Sequence, residues 1–393
     1  MQEQIKKVAL VTCYFQHNYG SQLQALATQK ICDKLRIANE TIRIDGLKNE
    51  IKQAKYRYFL SHIFDINTIK DKMATVKKLI AKRTNGEYKR NLAERDALFT
   101  EFTNEHFKLS RLYNSKVELG KHAHGYKAFV VGSDQLWLPS NIAADYYTLN
   151  FVPDDVQKVA YATSFGVSAL PKRQAEAAKK FLNRLNQIFV REASGQKLVK
   201  ELIGKDVPAV CDPTLLFSAE EWNAIAPQER KIKERYILCY FLGNNPEHRI
   251  WGKQLAKTTG CKLAQLMHLD EYIKSDEGIA DYPLYDVNSL DFVGLIRDAE
   301  YVLTDSFHCT VFSTLFRKQF FSFRRYNNDS TVSTNSRLYS LLETLGMSDR
   351  LLNGTENIKS CLSLSADFDK VHGRIAKLRA QSIELLQNAL TIQ

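Results

Sequence analysis

The stretch VALVTCYFQHNYGSQLQALATQKICDKL, residues 8–35, contains the first strand, loop and helix that the sequence predicts. Residues 8–12 are apolar except for one threonine, which is typical of a strand buried in a parallel sheet. From about residue 21 to residue 36, apolar residues recur with helical spacing on one face. The loop between them, FQHNYGSQ (15–22), contains one glycine, whereas a dinucleotide- or triphosphate-binding loop has two or three. The stretch therefore predicts a Rossmann-like unit whose first loop is not built to hold a pyrophosphate.

Short apolar runs alternate with helical patterns along most of the chain, as they do in parallel sheets covered by helices on both faces. The predicted strands of a first series lie at residues 8–12, 40–45, 126–132, 158–166, 188–191 and 207–212. Those of a second series lie at residues 235–243, 261–269, 299–305 and 318–323. A chain of 393 residues also has the usual length for two domains. We therefore expect an α/β fold with two Rossmann-like, doubly wound domains that face a shared cleft.

The change from one series to the other sets the expected domain boundary. The sequence SAEEW (218–222) has the serine-to-glutamate spacing of a capping box and opens a new helix. We expect an N-terminal domain at 1–217, with a helical insertion at about 47–110. The C-terminal domain is expected at 218–393, with a long last helix at about 367–390.

Positive charge is concentrated in the insertion of a chain whose net charge is +11. Between residues 47 and 98, 13 lysines and arginines outnumber 6 acidic residues. Such a segment can contact nucleic acid, an anionic membrane or a phosphorylated substrate, or it can be a solvated helical face. No apolar run reaches the ~20 residues that span a bilayer, and the first residues lack the apolar centre of a signal peptide. The sequence therefore indicates a cytoplasmic protein.

Cysteine and histidine spacing gives no indication of a metal or disulfide framework. The seven cysteines are scattered, with no CxxC pair, and most lie within apolar runs. Buried free thiols explain them better than disulfides or zinc ligands. The chain also lacks GxGxxG, GxxxxGK[ST], HExxH and GxSxG motifs, which argues against dinucleotide chemistry, P-loop hydrolysis and a zinc site.

Polar residues follow the predicted strands at six places. Because ligands of doubly wound sheets bind at the carboxyl ends of the strands, these places are expected to line the cleft. The six stretches are FQHNYGSQ (15–22), GSDQLW (132–137), SFG (164–166), REASG (191–195), DPTLL (212–216) and TDSFHCT (304–310).

His308 is the strongest candidate for a catalytic residue. It is expected in the first turn of a helix that follows a strand ending at Asp305, where free backbone N–H groups favour an anion. A histidine that becomes protonated as an anionic substrate arrives is suited to general acid catalysis. The alternative is a histidine that merely caps its own helix.

Arg191 and the polar residues after residue 132 are candidate binding groups. Arg191 ends a predicted strand and can bind a carboxylate or phosphate in a bidentate manner, or it can pair with Glu192. Ser133, Asp134 and Gln135 can hydrogen-bond sugar hydroxyls, although an aspartate here can also cap the next helix. The long polar loop RRYNNDSTVSTNSR (324–337) is a candidate lid.

Taken together, these motifs resemble the polysaccharide pyruvyl transferase family. No single motif decides this, but the matching stretches occur in family order and span about residues 8–350. They are NYGSQLQAL (18–26), VVGSDQLW (130–137), YATSFG (161–166), VRE (190–192), DPTLL (212–216) and AEYVLTDSFHCTVFSTLF (299–316).

The resemblance implies a GT-B-like fold and a pyruvyl transferase. Such an enzyme moves pyruvate from phosphoenolpyruvate to two hydroxyls of a sugar, giving a cyclic ketal in a bacterial surface polysaccharide. Phosphoenolpyruvate is then a co-substrate, and neither a metal nor a redox cofactor is required. The resemblance implies that His308 lies at phosphoenolpyruvate and that Arg191 binds its carboxylate or phosphate.

This chain departs from the family pattern at two positions. Some members carry an arginine where this chain has Ser306, and many carry a glycine where it has Cys309. Arg325 or Arg337 is expected to supply the missing positive charge. The expected phosphoenolpyruvate side thus comprises Arg191, Ser306, His308, Arg325 and Arg337, with His308 and Asp305 as catalytic residues.

The expected acceptor side lies on the N-terminal domain, and its first loop offers side chains to a ligand rich in hydroxyls. Gly20 is expected to form the turn of that loop. The acceptor-side residues are Asn18, Tyr19, Gly20, Ser21, Gln22, Ser133, Asp134 and Gln135.

The basic insertion suits an acceptor linked to a lipid diphosphate at the anionic inner face of the cytoplasmic membrane, and no nucleic acid is expected. Two other functions remain open at this stage. One is a GT-B glycosyltransferase that uses a nucleotide sugar. The other is a non-catalytic carbohydrate- or RNA-binding protein, which the basic pI of about 9.1 would suit.

Overall fold

Two parallel β-sheets organise the chain in a computed structural model, whose described residues are 6–61, 78, 80, 83–268, 271–273, 276–325 and 335–391. The first sheet contains β1 (Lys7–Val11), β2 (Asn39–Thr41), β3 (Tyr126–Val131), β4 (Gln157–Thr163) and β5 (Gln187–Val190). Its strand order is β2-β1-β3-β4-β5, and every pairing is parallel.

The second sheet contains β6 (Tyr236–Tyr240), β7 (Lys262–Leu266), β8 (Tyr282–Leu284), β9 (Tyr301–Thr304), β10 (Gln319–Phe323) and β11 (Leu351–Leu352). Its strand order is β11-β10-β9-β6-β7-β8, again with parallel pairings throughout. The predicted fold class, α/β with two doubly wound Rossmann-like domains, is confirmed.

Helices connect the strands in both domains. In the first they are α1 (Tyr19–Lys34), α2 (Lys48–Ser61), α3 (Gly86–His106), α4 (Lys116–Lys121), α5 (Pro139–Ala144), α6 (Lys172–Arg184) and α7 (Ala193–Ile203). From residue 218 onward they are α8 (Ala219–Asn223), α9 (Pro246–Thr259), α10 (Ser289–Asp298), α11 (Phe307–Leu315), α12 (Asn335–Leu345), α13 (Ile358–Leu362) and α14 (Phe368–Thr391).

One predicted strand is wrong. The run 207–212 makes only an isolated bridge, between Ala209 and Val190. Pro208 lies in this run and Pro213 follows it, and proline has no N–H group to give to a ladder. The segment is therefore extended beside β5 without becoming a strand, and it delivers Asp212 to the carboxyl end of the sheet.

Each sheet has a point at which its strand order reverses. In the first sheet this switch lies between β1 and β3, and in the second it lies between β6 and β9. Loops on the two sides of such a switch diverge and leave a crevice at the carboxyl ends of the strands. The loops after β1 and β3, and those after β6 and β9, are therefore the ones expected to hold a ligand.

The two domains share one hydrophobic core. Tyr19 at the start of α1 is fully buried, and its ring stacks on Phe292 of α10 with centroids 5.0 Å apart and planes at 7°. Tyr240 of β6 packs edge-on against the same Tyr19 ring at 5.7 Å. Because aromatic pairs of this kind bury large apolar areas, the base of the cleft is a packed contact between the domains.

The insertion contributes two described helices, α2 and α3. Phe99 of α3 packs on Tyr19, with ring centroids 5.0 Å apart, so this helix lies against the base of the cleft. Most of residues 62–82, where the sequence predicts further helical structure, lie outside the described residues. No helix in the described part of the chain is long and apolar enough to cross a membrane.

Helix α14 crosses back from the second domain to the first. Arg379 donates hydrogen bonds to the carbonyl oxygens of Leu215 and Phe217, at 2.6 and 2.9 Å. Near the end of the helix, Gln157 of β4 donates to the carbonyl oxygen of Ala389 at 2.6 Å. The expected boundary between residues 217 and 218 stays a prediction.

Candidate functional site

His308 lies where the sequence predicts, in the first turn of α11 directly after β9. Ser306 caps this helix by accepting a hydrogen bond from the backbone N–H of Cys309 at 3.4 Å. Free N–H groups and the positive end of the helix dipole surround the histidine, which favours an anion nearby. His308 is 6% exposed, and its Nε2 lies 3.4 Å from Oδ2 of Asp212.

Gly20 is the residue of the first loop that meets His308. A Cβ atom added at Gly20 would lie 2.1 Å from Nδ1 of His308 and 2.5 Å from its Cγ. This corrects the expected role of Gly20: it lies inside α1 and is absent from the positive-φ glycines, so it does not form a turn. Glycine is needed here because the imidazole ring occupies the space of a side chain.

Arg191 is the centre of a buried ionic cluster between the domains. Its side chain is 2% exposed and donates to Oδ2 of Asp212 at 2.9 Å and to Oδ1 of Asp134 at 3.4 Å. Its Nε lies 3.6 Å from Oε2 of Glu192, too far for a hydrogen bond. Burial alone would lower the pKa of Arg191, but Asp134, Asp212 and Glu192 outweigh burial and raise it above its usual value.

Arg337 enters the same cluster from α12. Its Nη1 lies 3.6 Å from Oδ1 of Asp134, the oxygen that Arg191 also contacts. Both guanidinium groups lie over the ring of Phe307, at 4.6 Å for Arg191 and 6.0 Å for Arg337. Burial, with the neighbouring charge of Arg191, lowers the pKa of Arg337 to about 10. Arg191 has a close ion pair with Asp212, whereas the Arg337 contact with Asp134 is longer than a good ion pair and its Nε has no hydrogen-bond partner in the described part of the chain. Arg337 therefore has capacity for an added anion.

Asp134 and Asp212 are held in their ionised forms. Burial favours their neutral forms, but the charges of Arg191, His308 and Arg337 lower the pKa of Asp134 below its usual value. His308, followed by Arg191, lowers the pKa of Asp212 in the same way. Thr214 also donates two hydrogen bonds to Oδ1 of Asp212, from its N–H at 3.0 Å and its hydroxyl at 2.7 Å.

Two predicted acceptor residues belong instead to the contact between the domains. The Tyr19 side chain packs among aromatic rings, and burial raises its pKa to about 12. Gln22 is fully buried; it donates to the carbonyl oxygen of Phe99 at 2.9 Å and accepts from Ser289 of the second domain at 2.7 Å. Neither side chain faces the cleft, which corrects their assignment to the acceptor side.

The remaining residues of the first loop have structural partners close to the cluster. Asn18 caps α1 and accepts from the N–H of Ser21 at 3.2 Å. Ser21 donates from its hydroxyl to Oδ2 of Asp134 at 3.0 Å. The loop thus reaches the cluster through Ser21, while Asn18 fixes the start of the helix.

The GSDQLW segment lines the cluster from the β3 side. Ser133 is fully buried and donates to the carbonyl oxygen of Ala162 at 2.8 Å, with Oδ2 of Asp212 3.4 Å away. Gln135 is half-buried, and its Nε2 has no hydrogen-bond partner in the structure. Of this predicted trio, Gln135 has an amide group left to donate to a ligand.

Asp305 and Arg325 hold the loops of the second domain. The Asp305 carboxylate is fully buried and accepts from the N–H groups of Leu242 and Gly243, at 2.7 and 2.8 Å. Arg325 donates to the carbonyl oxygen of Asp305 at 3.0 Å. Because its oxygens are occupied in this way, Asp305 positions the β6 and β9 loops rather than transferring protons. Residues 326–334 of the predicted lid lie outside the described residues.

Sequence reasoning missed Asp212, Glu192 and Phe307 as members of the site. Asp212 was recognised only as part of a polar strand end, and Glu192 only as a partner for Arg191. The signal was present in VRE (190–192) and DPT (212–214), where acidic residues end two neighbouring extended segments. Among the described residues, no group of three or more His, Cys, Asp or Glu could hold a metal ion.

A family model described as polysaccharide pyruvyl transferase matches residues 18–327. The chain belongs to this family. The resemblance inferred from the ordered motifs is thereby confirmed, and the matched span includes Gly20, Asp134, Arg191 and His308. Arg337 lies beyond it, so the cluster includes a residue outside the family match. Comparison with curated proteins gives no match.

Several solved structures resemble this chain at low sequence identity. MnaA of S. aureus, in a co-structure with UDP, is 10% identical with a TM-score of 0.48, covering 98% of this chain and 91% of that chain. UDP-GlcNAc 2-epimerase from Neisseria meningitidis, bound to UDP-GlcNAc, is 11% identical with a TM-score of 0.46, covering 94% and 100%. A UDP-glucosyltransferase from Polygonum tinctorium is 10% identical with a TM-score of 0.42, covering all of both chains. These are likenesses of fold and carry no information about the substrate here.

Proposed function

We propose that this protein transfers a pyruvyl group from phosphoenolpyruvate to two hydroxyls of a sugar, forming a cyclic ketal and inorganic phosphate. The acceptor sugar belongs to a bacterial surface polysaccharide or its precursor. The family membership supports pyruvyl transfer in general terms, and the residues between the domains support phosphoenolpyruvate as the donor. The observation that carries the donor is the buried guanidinium group of Arg337, which lies 3.6 Å from Asp134 and whose Nε has no hydrogen-bond partner among the described residues.

Phosphoenolpyruvate carries a carboxylate and a phosphate, which suit two neighbouring arginines and a helix N-terminus. Guanidinium groups bind such oxyanions in a bidentate manner, and a water-poor setting strengthens the attraction. Burial penalises the charge of Arg337, as its pKa of about 10 indicates, and a bound anion would relieve that penalty. We therefore place the anionic groups of the donor between Arg337, Arg191 and the first turn of α11.

The chemistry begins with a proton. The terminal carbon of the enol must be protonated, which leaves a cationic centre at the neighbouring carbon. We assign this proton to His308, which lies at the helix N-terminus where the donor is placed. The Asp212 carboxylate lies 3.4 Å from Nε2 of His308 and can orient the ring.

The two sugar hydroxyls then complete the ketal. The first hydroxyl attacks the cationic carbon and gives its proton to His308, which replaces the proton that His308 gave to the terminal carbon. The second attacks the same carbon as the phosphate leaves, and its proton ends on the phosphate. On the acceptor side, Gln135 has an unpartnered amide nitrogen, and Ser21 and Asp134, which are hydrogen-bonded to each other, are further polar groups for hydroxyls.

Donor binding tests the proposal directly. Isothermal titration of the protein with phosphoenolpyruvate is expected to show saturable binding, and Arg337→Ala should weaken it roughly 10- to 150-fold. This range follows from the ~1.5–3 kcal/mol of a hydrogen bond to a charged group. Arg324→Ala is a matched control, because Arg324 donates to Asn353 at 2.7 Å and takes no part in the cluster.

The same titration distinguishes the other functions. If the protein binds UDP-glucose or UDP-GlcNAc but does not bind phosphoenolpyruvate, the result favours a nucleotide-sugar glycosyltransferase and contradicts the proposal. With a mixture of oligosaccharides from bacterial surface polysaccharides as acceptors, phosphoenolpyruvate-dependent release of phosphate is expected. Binding of sugars without any phosphate release would indicate a non-catalytic carbohydrate-binding protein.

We also propose that the insertion contacts the anionic inner face of the cytoplasmic membrane, where a lipid-diphosphate-linked acceptor would be held. Helix α2 exposes Lys48, Lys52, Tyr56 and Leu60 at four-residue spacing, so that cationic and apolar side chains share one face. Basic residues attract anionic lipids and exposed apolar ones enter the interface, which is the pattern of a peripheral contact.

A vesicle assay tests this membrane contact. Replacement of Lys48, Lys52 and Arg57 by glutamine should weaken binding to vesicles of phosphatidylglycerol and phosphatidylethanolamine roughly 100-fold, since each basic residue contributes ~1 kcal/mol near such a surface. The control replaces Lys172, Lys179 and Lys180 of α6, three exposed lysines outside the insertion, by glutamine. Equal losses in the two triple variants would show a general charge effect and contradict a specific contact through α2.

A further inference from the structure

Glu192 has the fewest hydrogen-bonding partners of the three described carboxylates in the ionic cluster. Its Oε1 accepts a hydrogen bond from the hydroxyl of Ser164 at 2.7 Å. Its Oε2 is buried, lies 3.6 Å from Nε of Arg191, and accepts no hydrogen bond in the described part of the chain. A buried, ionised oxygen without a hydrogen-bond donor costs free energy. This oxygen therefore gains from any change that removes its charge or gives it a partner.

The two aspartates of the cluster are better compensated. Asp212 accepts hydrogen bonds from Arg191 and Thr214. Charged neighbours hold the pKa values of Asp212 and Asp134 below the usual value of an aspartate. Among the three carboxylates, a proton that enters the cluster is therefore expected on Glu192 rather than on either aspartate.

A cavity of about 40 Å³ brings Glu192 next to the place proposed for phosphoenolpyruvate. Its lining includes Glu192, Arg191, Arg337 and Phe307, and both guanidinium groups lie over the Phe307 ring. A buried water needs roughly 10–15 Å³ of such space, so the cavity admits a group as small as a carboxylate. Glu192 and Arg337 can thus contact the same anionic group.

The charges of the cluster leave no positive surplus for an incoming anion. Two guanidinium groups face three carboxylates, so the described cluster has one negative charge in excess when His308 is neutral. Arg325, whose charge reaches Arg337, is paired with Asp305 at 3.4 Å. The sequence of residues 326–334 contains one aspartate and no lysine, arginine or histidine, so that segment offers no cation either.

Phosphoenolpyruvate increases this excess of negative charge. It brings roughly two to three negative charges near neutral pH, because the second pKa of a phosphate monoester is about 6. Like charges in a buried site favour the uptake of protons, and protonation of His308 offsets one charge. A second proton on Glu192 offsets another, and it converts an oxygen without a partner into a hydroxyl that can donate a hydrogen bond.

We infer that Glu192 binds phosphoenolpyruvate as a neutral carboxyl group. The side chain is ionised in the free protein and takes a proton from water as phosphoenolpyruvate enters. It then donates that proton in a hydrogen bond to an anionic oxygen of phosphoenolpyruvate, and it returns the proton to water when the products leave. The inference rests on the proposed function, because it takes phosphoenolpyruvate to be the donor of the pyruvyl group.

Calorimetric titration with phosphoenolpyruvate at pH 8 measures the protons that the complex gains. The titration is repeated in HEPES and in Tris, which have different heats of ionisation, and the difference between the observed heats gives the number of protons. At this pH the phosphate of free phosphoenolpyruvate is ionised, so the ligand brings no proton of its own. We expect a gain of about two protons in the unmodified protein and of about one in Glu192→Gln.

Glutamine is an informative replacement because it resembles the neutral carboxyl group. Its carbonyl oxygen can accept the hydrogen bond from Ser164, and its amide N–H can donate where the neutral Glu192 would. In the unmodified protein the dissociation constant should rise about tenfold per pH unit for each proton taken up, and one such factor should be missing in Glu192→Gln. A merely structural role of Glu192 would weaken binding equally at every pH.

Glu201→Gln is the matched control. Glu201 is an exposed glutamate of α7 that lies 3.9 Å from Lys197, so its variant should gain as many protons as the unmodified protein. A gain of one proton or none in the unmodified protein, or an equal gain in Glu192→Gln, would overturn the role of Glu192 and leave the proposed donor in place. Absence of phosphoenolpyruvate binding in the unmodified protein would overturn both.

Discussion

Replacement of His308 by alanine is expected to lower kcat about 10²- to 10⁴-fold, the usual contribution of a general acid or base. The imidazole is the titratable group at the N-terminus of α11, and it lies between Gly20 and the Asp212 carboxylate. Asp212 and Asp134, the carboxyl groups that the structure places around the ring, are held ionised and so cannot replace it as proton donors. The measurement is phosphate release from phosphoenolpyruvate in the presence of an oligosaccharide acceptor.

Donor affinity distinguishes this chemical effect from a structural one. Arg191 and Arg337 stay in place in His308→Ala, so the dissociation constant for phosphoenolpyruvate should change far less than kcat does. His308→Gln, which keeps a polar side chain of similar length but cannot carry the proton, should be nearly as inactive. Retention of most of the activity in either variant would remove His308 from the mechanism.

Gly20→Ala is expected to cause the second large loss, because one methyl group would enter the space of the catalytic ring. The added Cβ would lie 2.1 Å from Nδ1 of His308, and real atoms do not approach so closely. Either the imidazole or the start of α1 must move by about 1 Å, and displacements of that size can cost roughly 100-fold in rate. Phosphate release should therefore fall by about two orders of magnitude, while donor affinity, which depends on the arginines, should fall less.

Gly373→Ala is the matched control for this substitution. Gly373 lies within α14, and a Cβ added there would meet no atom within 4 Å. Alanine is the better helix former by about 1 kcal/mol, so this variant should be as stable as the original protein or more stable. If Gly20→Ala and Gly373→Ala had the same activity, the close approach of Gly20 to His308 would have no catalytic meaning.

The architecture was predictable because its signals are local. Nearly continuous apolar runs such as VALVT (8–12) and YVLT (301–304) belong to strands buried on both faces, and helical patterns separate them. His308 was predictable for the same reason, since a strand followed by a helix determines where a first-turn residue lies. The sequence did not predict the two short strands β8 and β11, which have three and two residues.

Errors in the site came from contacts between segments far apart in sequence. Tyr19 and Gln22 were assigned to the first loop, FQHNYGSQ (15–22), whereas α1 begins at Tyr19 and contains both residues. Their burial depends on Phe292 and Ser289 of the second domain, which no local pattern indicates. Asp305 was likewise predicted to be catalytic, but its carboxylate oxygens accept hydrogen bonds from the N–H groups of Leu242 and Gly243, some 60 residues away.

The packing of α14 against the first domain has a consequence for the folding of the chain during translation. The hydroxyl of Ser382 accepts a hydrogen bond from the backbone N–H of Cys211 at 3.0 Å, directly before the Asp212 that holds Arg191. Ribosomes complete the first sheet long before residue 382 is made, so a nascent chain lacks the support for its own ionic cluster. We therefore expect the hydrogen bond that supports this segment to form only after α14 has left the exit tunnel.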